Sequence, residues 1–322
     1  MTRQAAIGLA SMDISNVTVV GAGMMGNSLA QVFAADPGLN VKLMTRELKS
    51  DRFQPISYNL DIMISRGAMT QEEKEKILAG IHFVTDDAEA YSDADFIIEC
   101  YPEVMETKQN LFAHVENFCR ADAILATNTS VMSPTEISSK CKHRERVVGA
   151  HFWNPGHLIP LVEVVKSDFT TEEVMQDTMA LLTRVGKKPV YCKKDVPGFV
   201  ANRLQHALWR EAIYMVENGI ADPKTVDDAC KYGPGLRWPV LGPMENSDLV
   251  GIELTYNIHN YILKSLADNH EPSYLLSEML DRGELGMKSL KGWQEWTPEQ
   301  VSEINAGLRE YLIDYNNKIT KK

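Results

Sequence analysis

Two side chains twelve positions apart, His151 and Glu163, could move a proton together. His151 lies in the apolar run 147–152 and Glu163 in the apolar run 161–165, with the turn-forming residues 154–156 between them. β-Branched residues on both sides of such a turn predict a strand, a turn and a second strand. This fold-back would place an imidazole beside a carboxylate, which orients a histidine as a general base near neutral pH. The alternative is a histidine at a strand end that makes only a local hydrogen bond.

A glycine-rich segment near the start of the chain predicts a dinucleotide site. An apolar run at 17–20 leads into a Gly-x-Gly-x-x-Gly pattern, and a helical pattern opens at once. The first glycine allows a tight turn, the second lets the backbone approach a pyrophosphate, and the third lets helix and strand pack closely. A second strand follows at 41–45, and this context is more specific than three glycines alone. The residues expected to contact the cofactor here are Gly21, Gly23, Met24, Met25 and Gly26.

The end of the second predicted strand indicates which dinucleotide is bound. NAD sites usually carry an acidic residue there, which binds the adenosine ribose hydroxyls. This chain has Thr45 at that position and Arg46 beside it. The missing carboxylate removes the repulsion of a 2′-phosphate, and a guanidinium can bind that phosphate with paired donors. We therefore expect NAD(P) with NADP favoured over NAD. In the alternative, Arg46 stacks on the adenine or faces water while NAD is used.

Short apolar runs alternate with helical patterns from residue 17 to about 194. The predicted strands are 17–20, 41–45, 96–99, 123–127, 147–152, 161–165 and 189–193. The predicted helices between them are 28–34, 71–78, 107–118 and 172–185. Such alternation predicts βαβ units and an α/β fold with a Rossmann-type, doubly wound, mainly parallel sheet. Ligands of such sheets lie beyond the carboxyl ends of the strands, where the segments after strands 96–99 and 123–127 and the start of the helical domain at 197–203 would converge.

The strand signals stop after residue 195. Helical patterns follow at 199–218, 225–232, 243–267, 273–280 and 298–315. We therefore predict a dinucleotide-binding domain at 1–194, with 1–15 as an N-terminal tail, and an all-α domain at 195–322.

Composition excludes several classes of partner. A net charge of −11 argues against nucleic acid, because phosphate binding needs a basic face. No apolar run approaches the length of a membrane span, and the first residues lack the pattern of a secretory signal. The five cysteines are widely spaced without a Cys-x-x-Cys pair, which favours reduced thiols, a cytoplasmic location and no zinc site. The expected partner is a small-molecule substrate.

Several ordered motifs extend along almost the whole chain. They are segments 21–26, 128–130, 151–155, 161–164, 197–203 and, in a degraded form, 286–289. In order and spacing they resemble the L-3-hydroxyacyl-CoA dehydrogenase family. The resemblance implies a Rossmann-type domain, a helical domain that usually makes a homodimer, and a catalytic His–Glu pair.

By this resemblance, His151 would be the base that takes the proton from a substrate hydroxyl, and Glu163 would hold its tautomer. Ser130 and Asn202 would hydrogen-bond the reacting oxygen or the adjacent carbonyl. The alternatives are a turn-capping hydroxyl for Ser130 and a helix residue that satisfies backbone groups for Asn202.

Four more residues match family positions that contact the nicotinamide half of the cofactor: Glu103, Lys108, Asn154 and Lys288. For Glu103 and Lys108 the alternative is a solvated helix face. The motif around Lys288 has drifted from the family pattern.

The substrate is less well defined by the sequence. Members that use CoA carry a serine and a lysine on the helical segment after the second strand, whereas 51–73 contains no lysine and Pro55 interrupts its early part. Arg52 or Arg66 could substitute. The segment 233–238 looks more like the carnitine dehydrogenase and L-gulonate dehydrogenase/lambda-crystallin branches, which act on free acids. There Arg237 could bind a substrate carboxylate with paired donors, or form a salt bridge between domains or subunits.

These observations predict an oxidoreductase that transfers a hydride between NAD(P) and the 3-hydroxyl or 3-keto carbon of a short L-3-hydroxy acid or its CoA thioester. The alternative is a non-catalytic dinucleotide-binding protein with a structural or sensor role. The presence of His151, Glu163, Ser130 and Asn202 together favours the enzyme, because cofactor binding alone needs none of them.

Overall fold

The computed structural model describes residues 12–320, and its chain divides into two compact units. The sheet unit comprises residues 12–203 and 307–320, and the helical unit comprises Leu204–Ala306. Most of the predicted tail at 1–15 lies outside the described residues. The division differs from the predicted domains 1–194 and 195–322 in two ways. It assigns 195–203 to the first unit. It also assigns 307–320 to the first unit, because Leu312 and Ile313 pack there against Leu158.

A single twisted layer of eight strands lies at the centre of the sheet unit. The strands are β1 (Asn16–Val20), β2 (Asn40–Met44), β3 (Ile81–Val84), β4 (Phe96–Glu99), β5 (Ile124–Thr127), β6 (Val147–Phe152), β7 (Leu161–Val165) and β8 (Lys188–Cys192). Their spatial order is β3-β2-β1-β4-β5-β6-β7-β8. All neighbours run parallel except the antiparallel pair β6 and β7. The predicted Rossmann-type, mainly parallel sheet is confirmed.

Helices cover both faces of this sheet. They are α1 (Met24–Ala34), α2 (Gln54–Ser65), α3 (Gln71–Ala79), α4 (Asp87–Tyr91), α5 (Met105–Val115), α6 (Pro134–Ile137) and α7 (Glu172–Arg184). The expectation that Pro55 interrupts the segment after β2 is wrong. Pro55 lies in the first turn of α2, where a helix makes no use of the amide hydrogen that proline lacks.

The core forms on both faces because successive side chains of a strand point in opposite directions. In β4, Phe96 and Ile98 join the cluster that includes Phe33 of α1, whereas Ile97 joins the cluster around Phe112 of α5. Strands buried on both faces read as continuous apolar runs, which explains why most of them were visible in the sequence.

The helical unit is built from the middle and C-terminal helices of the chain. These are α9 (Pro223–Tyr232), α10 (Pro234–Arg237), α11 (Pro243–Val250), α12 (Ile252–Ile262) and α13 (Tyr274–Asp281), together with α8 (Ala201–Glu217) from Leu204 onward and α14 (Pro298–Thr320) as far as Ala306. The predicted all-α composition is confirmed for residues 204–306, which contain no named strand. The single helix expected at 243–267 is wrong, because Gly251 with φ of +98° separates α11 from α12.

Two observations bear on the surroundings of the protein. None of the helices within residues 12–320 is both long enough and apolar enough to cross a membrane. All five cysteines are free thiols. The cytoplasmic location stays a prediction.

Candidate active site

His151 and Glu163 are brought together by the antiparallel pairing of β6 and β7. The two residues lie directly opposite each other in the register. The imidazole Nδ1 lies 2.9 Å from the Oε2 of Glu163. His151 is 5% exposed and Glu163 is fully buried. The strand, turn and strand expected from the sequence thus produce a buried His–carboxylate pair.

The carboxylate of Glu163 accepts hydrogen bonds at both oxygens. Oε2 also accepts from Nε1 of Trp153 at 3.2 Å, and Oε1 accepts from the backbone amides of Val200 at 2.9 Å and Ala201 at 2.8 Å. Burial raises the pKa of Glu163, but the bonds from His151, Ala201, Val200 and Trp153 together outweigh burial and leave it below its ordinary value.

The ionised carboxylate fixes the roles of the two ring nitrogens. A carboxylate only accepts hydrogen bonds, so Nδ1 of His151 must be the donor. In the neutral ring, Nε2 is then the nitrogen with a free lone pair. The pair therefore holds His151 in the tautomer that can accept a proton at Nε2.

His151 lines a small pocket at the carboxyl ends of the strands. Its volume is about 270 Å³. The lining residues are Met24, Met25, Asn128, Ser130, His151, Phe152, Trp153, Asn154 and Asn202. Segments after β1, β5 and β6 and the first turn of α8 thus converge on one space, as expected for a doubly wound sheet.

Ser130 and Asn202 are joined to each other at this pocket. Nδ2 of Asn202 donates to the carbonyl of Ser130 at 3.0 Å. The amide of Ser130 donates to the carboxylate of Glu103. The hydroxyl of Ser130 has no hydrogen-bond partner within residues 12–320, and it is free to bind a ligand. Asn202 thus satisfies the backbone carbonyl of Ser130, which was the alternative role predicted for it, and its side chain also lines the pocket.

The loop between β1 and α1 has the geometry of a phosphate cradle. Gly21 has φ of +106°, and a Cβ on Gly26 would lie 1.7 Å from the carbonyl oxygen of Gly21. By contrast, a Cβ on Gly23 would meet no described heavy atom within 4 Å. The chain's own packing requires two of the glycines, whereas the third leaves open space beside the N-terminus of α1. That helix has no acidic residue in its first turn, so the loop fits a pyrophosphate.

Thr45 and Arg46 follow directly after β2. The backbone of Thr45 donates to the carbonyl of Val84, and its hydroxyl donates to the carbonyl of Glu47. Arg46 is exposed, and its guanidinium has no hydrogen-bond or ion-pair partner among the described residues.

Glu103 follows β4 in the chain, and Lys108 lies in the first turn of α5. Glu103 accepts from the hydroxyl of Thr129 and the amide of Ser130. Lys108 is 1% exposed, and its Nζ lies 2.7 Å from the buried carboxylate of Glu99. The solvated-face alternative is therefore wrong for Lys108, which neutralises Glu99 beneath the loop. A cofactor contact remains a prediction for both residues.

The side chains of three other predicted residues have no hydrogen bond or ion pair within residues 12–320. Asn154 is exposed and lines the pocket. Arg237 ends α10, and Lys288 lies in the short 3-10 turn Met287–Ser289; both are exposed residues of the helical unit. Their roles remain predictions.

Sequence reasoning missed three residues of the pocket, Asn128, Phe152 and Trp153. Oδ1 of Asn128 accepts from the backbone amide of Phe152 at 2.8 Å, which ties β5 to β6. Trp153 bonds the same carboxylate oxygen as His151. The available signal was strand periodicity, since residues two positions apart share a face and His151 and Trp153 are so spaced.

A larger cavity of about 700 Å³ lies elsewhere in the sheet unit. It is lined by residues of α1, the end of α2, the β6–β7 connection and α14, among them Gln31, His157 and Lys187. Burial lowers the pKa of Lys187 to about 8, and its amine donates to the carbonyls of Gly156 and Ile159. This cavity contains none of the predicted site residues, so the smaller pocket is the candidate active site.

Comparison with protein families supports the same assignment over both units. Residues 16–196 match the family described as 3-hydroxyacyl-CoA dehydrogenase, NAD binding domain. Residues 198–296 match the family described as 3-hydroxyacyl-CoA dehydrogenase, C-terminal domain.

Individual relatives extend this likeness along most of the chain. The chain is 30% identical over 313 residues to 5-formyl-3-hydroxy-2-methylpyridine 4-carboxylate 5-dehydrogenase of Mesorhizobium japonicum, covering 93% of this chain and 96% of the relative. It is 33% identical over 288 residues to a probable 3-hydroxybutyryl-CoA dehydrogenase of Bacillus subtilis, covering 88% of this chain and 98% of that protein.

A solved structure agrees with these relatives. The crystal structure of 5-formyl-3-hydroxy-2-methylpyridine 4-carboxylic acid 5-dehydrogenase, described as an NAD⁺-dependent dismutase, superposes with a TM-score of 0.86. It is 28% identical and covers 96% of this chain and 99% of its own. The resemblance found in the sequence motifs is confirmed: the chain belongs to the 3-hydroxyacyl-CoA dehydrogenase family, whose members are nicotinamide-dependent oxidoreductases acting on a CH–OH group.

Proposed function

We propose that this protein oxidises the 3-hydroxyl group of a short L-3-hydroxy acid, or of its CoA thioester, and catalyses the reverse reduction. The observation that carries this proposal is the buried pair of His151 and Glu163 in a pocket beside the glycine loop. A protein that only bound a dinucleotide would have no use for a histidine held in one tautomer by a buried carboxylate.

The glycine loop and the N-terminus of α1 would hold the pyrophosphate of the cofactor. The chemistry that a nicotinamide dinucleotide supplies when bound is hydride transfer to or from the carbon that bears the substrate hydroxyl. Asn154, at the pocket, and Glu103, beside Ser130, are the residues of this unit that we assign to the nicotinamide half. Lys108 would act through its contact with Glu103, 3.5 Å away.

Proton transfer is the task of His151. During oxidation its Nε2 accepts the proton of the substrate hydroxyl, and during reduction the imidazolium returns that proton to the same oxygen. Glu163 stabilises the imidazolium through Nδ1. Since the pair is buried, little water competes for the proton. The Ser130 hydroxyl and the Asn202 amide would orient the reacting oxygen or the neighbouring carbonyl.

The surroundings of α2 favour a free acid over a CoA thioester. Of the two arginines that could replace the missing lysine, Arg66 is already bound by Asp314 of α14 at 2.7 Å, with Glu310 at 3.5 Å. Arg52 donates to the carbonyl of Lys49, and its guanidinium lies over the Phe53 ring. Arg66 could bind a CoA phosphate only by giving up its ion pairs with Asp314 and Glu310. We assign the binding of a free substrate carboxylate to Arg237.

A substrate panel tests this function. Acetoacetate, related 3-keto acids and acetoacetyl-CoA are each reduced with NADH and with NADPH, and the loss of reduced-nicotinamide absorbance is followed. We expect turnover of at least one 3-keto acid. Turnover of the thioester alone would contradict the preference for a free acid. No turnover of any 3-keto compound would reject the enzyme in favour of the non-catalytic dinucleotide-binding protein.

We also propose that NADP is preferred over NAD, because Arg46 is exposed and unpaired within the described residues and Thr45, not an acid, directly follows β2. Arg46→Ala should lower kcat/KM for NADP about tenfold, the scale of one charge-assisted contact, and leave that for NAD within about twofold. Lys49→Ala, in the same loop, is the control. A strong NAD preference in the unaltered enzyme that Arg46→Ala leaves in place would reject the proposal.

We further propose that the helical unit forms a homodimer. In the single chain α8, α9, α10, α11 and α12 bury no residue, although they carry many large apolar side chains. Apolar surface of this extent is typical of an interface. A second copy would cover it symmetrically.

A further inference from the structure

We propose that Trp153 is a positioning residue that shares the Oε2 atom of Glu163 with His151 and weakens the hold of that oxygen on the protonated imidazole. The inference rests on the proposed role of His151 as the base. It adds a third member to the pair, placed beside the substrate pocket.

The geometry is that of two donors on one acceptor. Nδ1 of His151 lies 2.9 Å and Nε1 of Trp153 lies 3.2 Å from the same carboxylate oxygen. The two rings are 5.8 Å apart and tilted by 49°. An indole N–H is a donor only, so its partner in this contact must be the carboxylate. Each donor withdraws electron density that the other would otherwise receive.

The other oxygen of Glu163 cannot relieve this sharing. Oε1 already accepts from the backbone amides of Val200 and Ala201 at the start of α8. The carboxylate is therefore held by four donors and has no freedom to rotate toward His151. Of the four donors, the indole is the one that a side-chain substitution removes without touching the imidazole or the backbone.

Glu163 is the charged residue that contacts the imidazole of His151. On β8, burial raises the pKa of the Cys192 thiol to about 12, and the Glu163 charge adds to this, so Cys192 is neutral. After β4, Glu103 is bound to the Ser130 amide, and on α8, Arg203 is directed to the Pro197 carbonyl. A change in the strength of the Glu163 contact should therefore be read directly in the titration of the ring.

Trp153→Phe removes the N–H and retains an aromatic ring. The ring signals of His151 are followed by NMR against pH in the cofactor-free protein, with His151→Asn to assign them. We expect the titration midpoint in Trp153→Phe to lie about half a unit to one unit above that of the unaltered protein, because the freed oxygen binds the imidazolium more strongly. The acid limb of the kcat/KM profile should move the same way.

Trp293→Phe removes an indole from the helical unit and is the matched control, with no change expected. An unchanged or lowered midpoint in Trp153→Phe, with thermal unfolding preserved, would overturn the proposal and leave Trp153 as a packing residue. The NMR titration needs no turnover, so its result does not depend on the assay of the proposed function. Failure of the proposed function would instead be seen as retained activity in His151→Asn.

Discussion

The sheet unit buries its apolar side chains to a much greater extent than the helical unit does. In the sheet unit, the central strands β4, β5 and β6 are buried along their whole length, and helices cover both faces. In the helical unit, the buried apolar residues are Ala267 and Met279. Val240 is 81% and Tyr261 is 88% exposed in the single chain.

The proposed catalytic residues and the proposed dimer surface therefore lie in different units. The glycine loop, the His151–Glu163 pair, Ser130 and Asn202 all belong to the sheet unit, whose own core holds them in place. The helical unit has the amphipathic pattern of a packed domain but lacks the cover that such a pattern needs. We infer that the second subunit supplies that cover.

The largest expected effect tests whether the sheet unit depends on its own packing. A Cβ at Gly26 would lie 1.7 Å from the Gly21 carbonyl, so Gly26→Val must displace α1 from β1. We expect destabilisation by more than about 3 kcal/mol, measured as loss of folded protein or a collapse of Tm.

Gly23→Ala is the matched control in the same loop, since its Cβ would meet no described heavy atom within 4 Å. It should leave Tm within a few degrees and weaken dinucleotide binding. Equal thermal stability of the two variants would contradict the assignment of distinct roles to the two glycines.

The next effect tests whether the helical unit depends on a partner. Val240→Asp and, separately, Tyr261→Asp would introduce a charge into surface that we assign to the dimer. We expect the dimer dissociation constant to rise about a hundredfold, because an unpaired charge would be buried. Light scattering after size exclusion measures it.

Leu48→Asp is the control, because Leu48 is a 51% exposed apolar residue of the sheet unit. It should leave the dimer intact. If the unaltered protein were monomeric at micromolar concentration and its helical unit were folded, the proposal that a second subunit covers this unit would be contradicted.

The smallest effect is a pH dependence confined to the sheet unit. Burial, aided by the positive charges of Lys187 and Arg309, lowers the pKa of His157 to about 4, against about 6.5 when unfolded. Between these values the unfolded state binds more protons, so stability falls as the pH falls. We expect urea unfolding to show a loss of at most about 2 kcal/mol between pH 7 and pH 5 that His157→Gln removes.

His206→Gln, which alters an exposed histidine of the helical unit, is the matched control and should retain the loss. If His157→Gln and the unaltered protein lose the same stability between pH 7 and pH 5, His157 is not the group responsible.

The sequence predicted the sheet and the main pair because both depend on local pattern. Continuous apolar runs identify doubly buried strands, and the turn at 154–156 is enough to bring His151 back to Glu163. β3 was not predicted, because four residues interrupted by His82 carry little pattern. The expectation for Pro55 was wrong for a related reason. Proline is found both in the first turn of a helix and where a helix is broken, and the sequence pattern alone does not distinguish these two positions.

Contacts between residues distant in the chain could not be derived in this way. The bonds of Val200 and Ala201 to Glu163 depend on how α8 meets β7, which no local spacing encodes. The same holds for Lys108, whose charge suggested a solvated face until the buried Glu99 carboxylate was found beside it. The ion pair between Arg66 and Asp314 of α14 likewise joins residues that are 248 positions apart.

The central claim is that His151, held by Glu163, is the proton acceptor of an alcohol dehydrogenation. The most direct measurement compares kcat of the unaltered enzyme and His151→Asn on the best substrate of the panel, alongside dinucleotide affinity from fluorescence titration. We predict a fall in kcat of about a hundredfold or more, the scale of a lost general base, with dinucleotide affinity within about twofold. Turnover within tenfold of the unaltered enzyme would contradict the account.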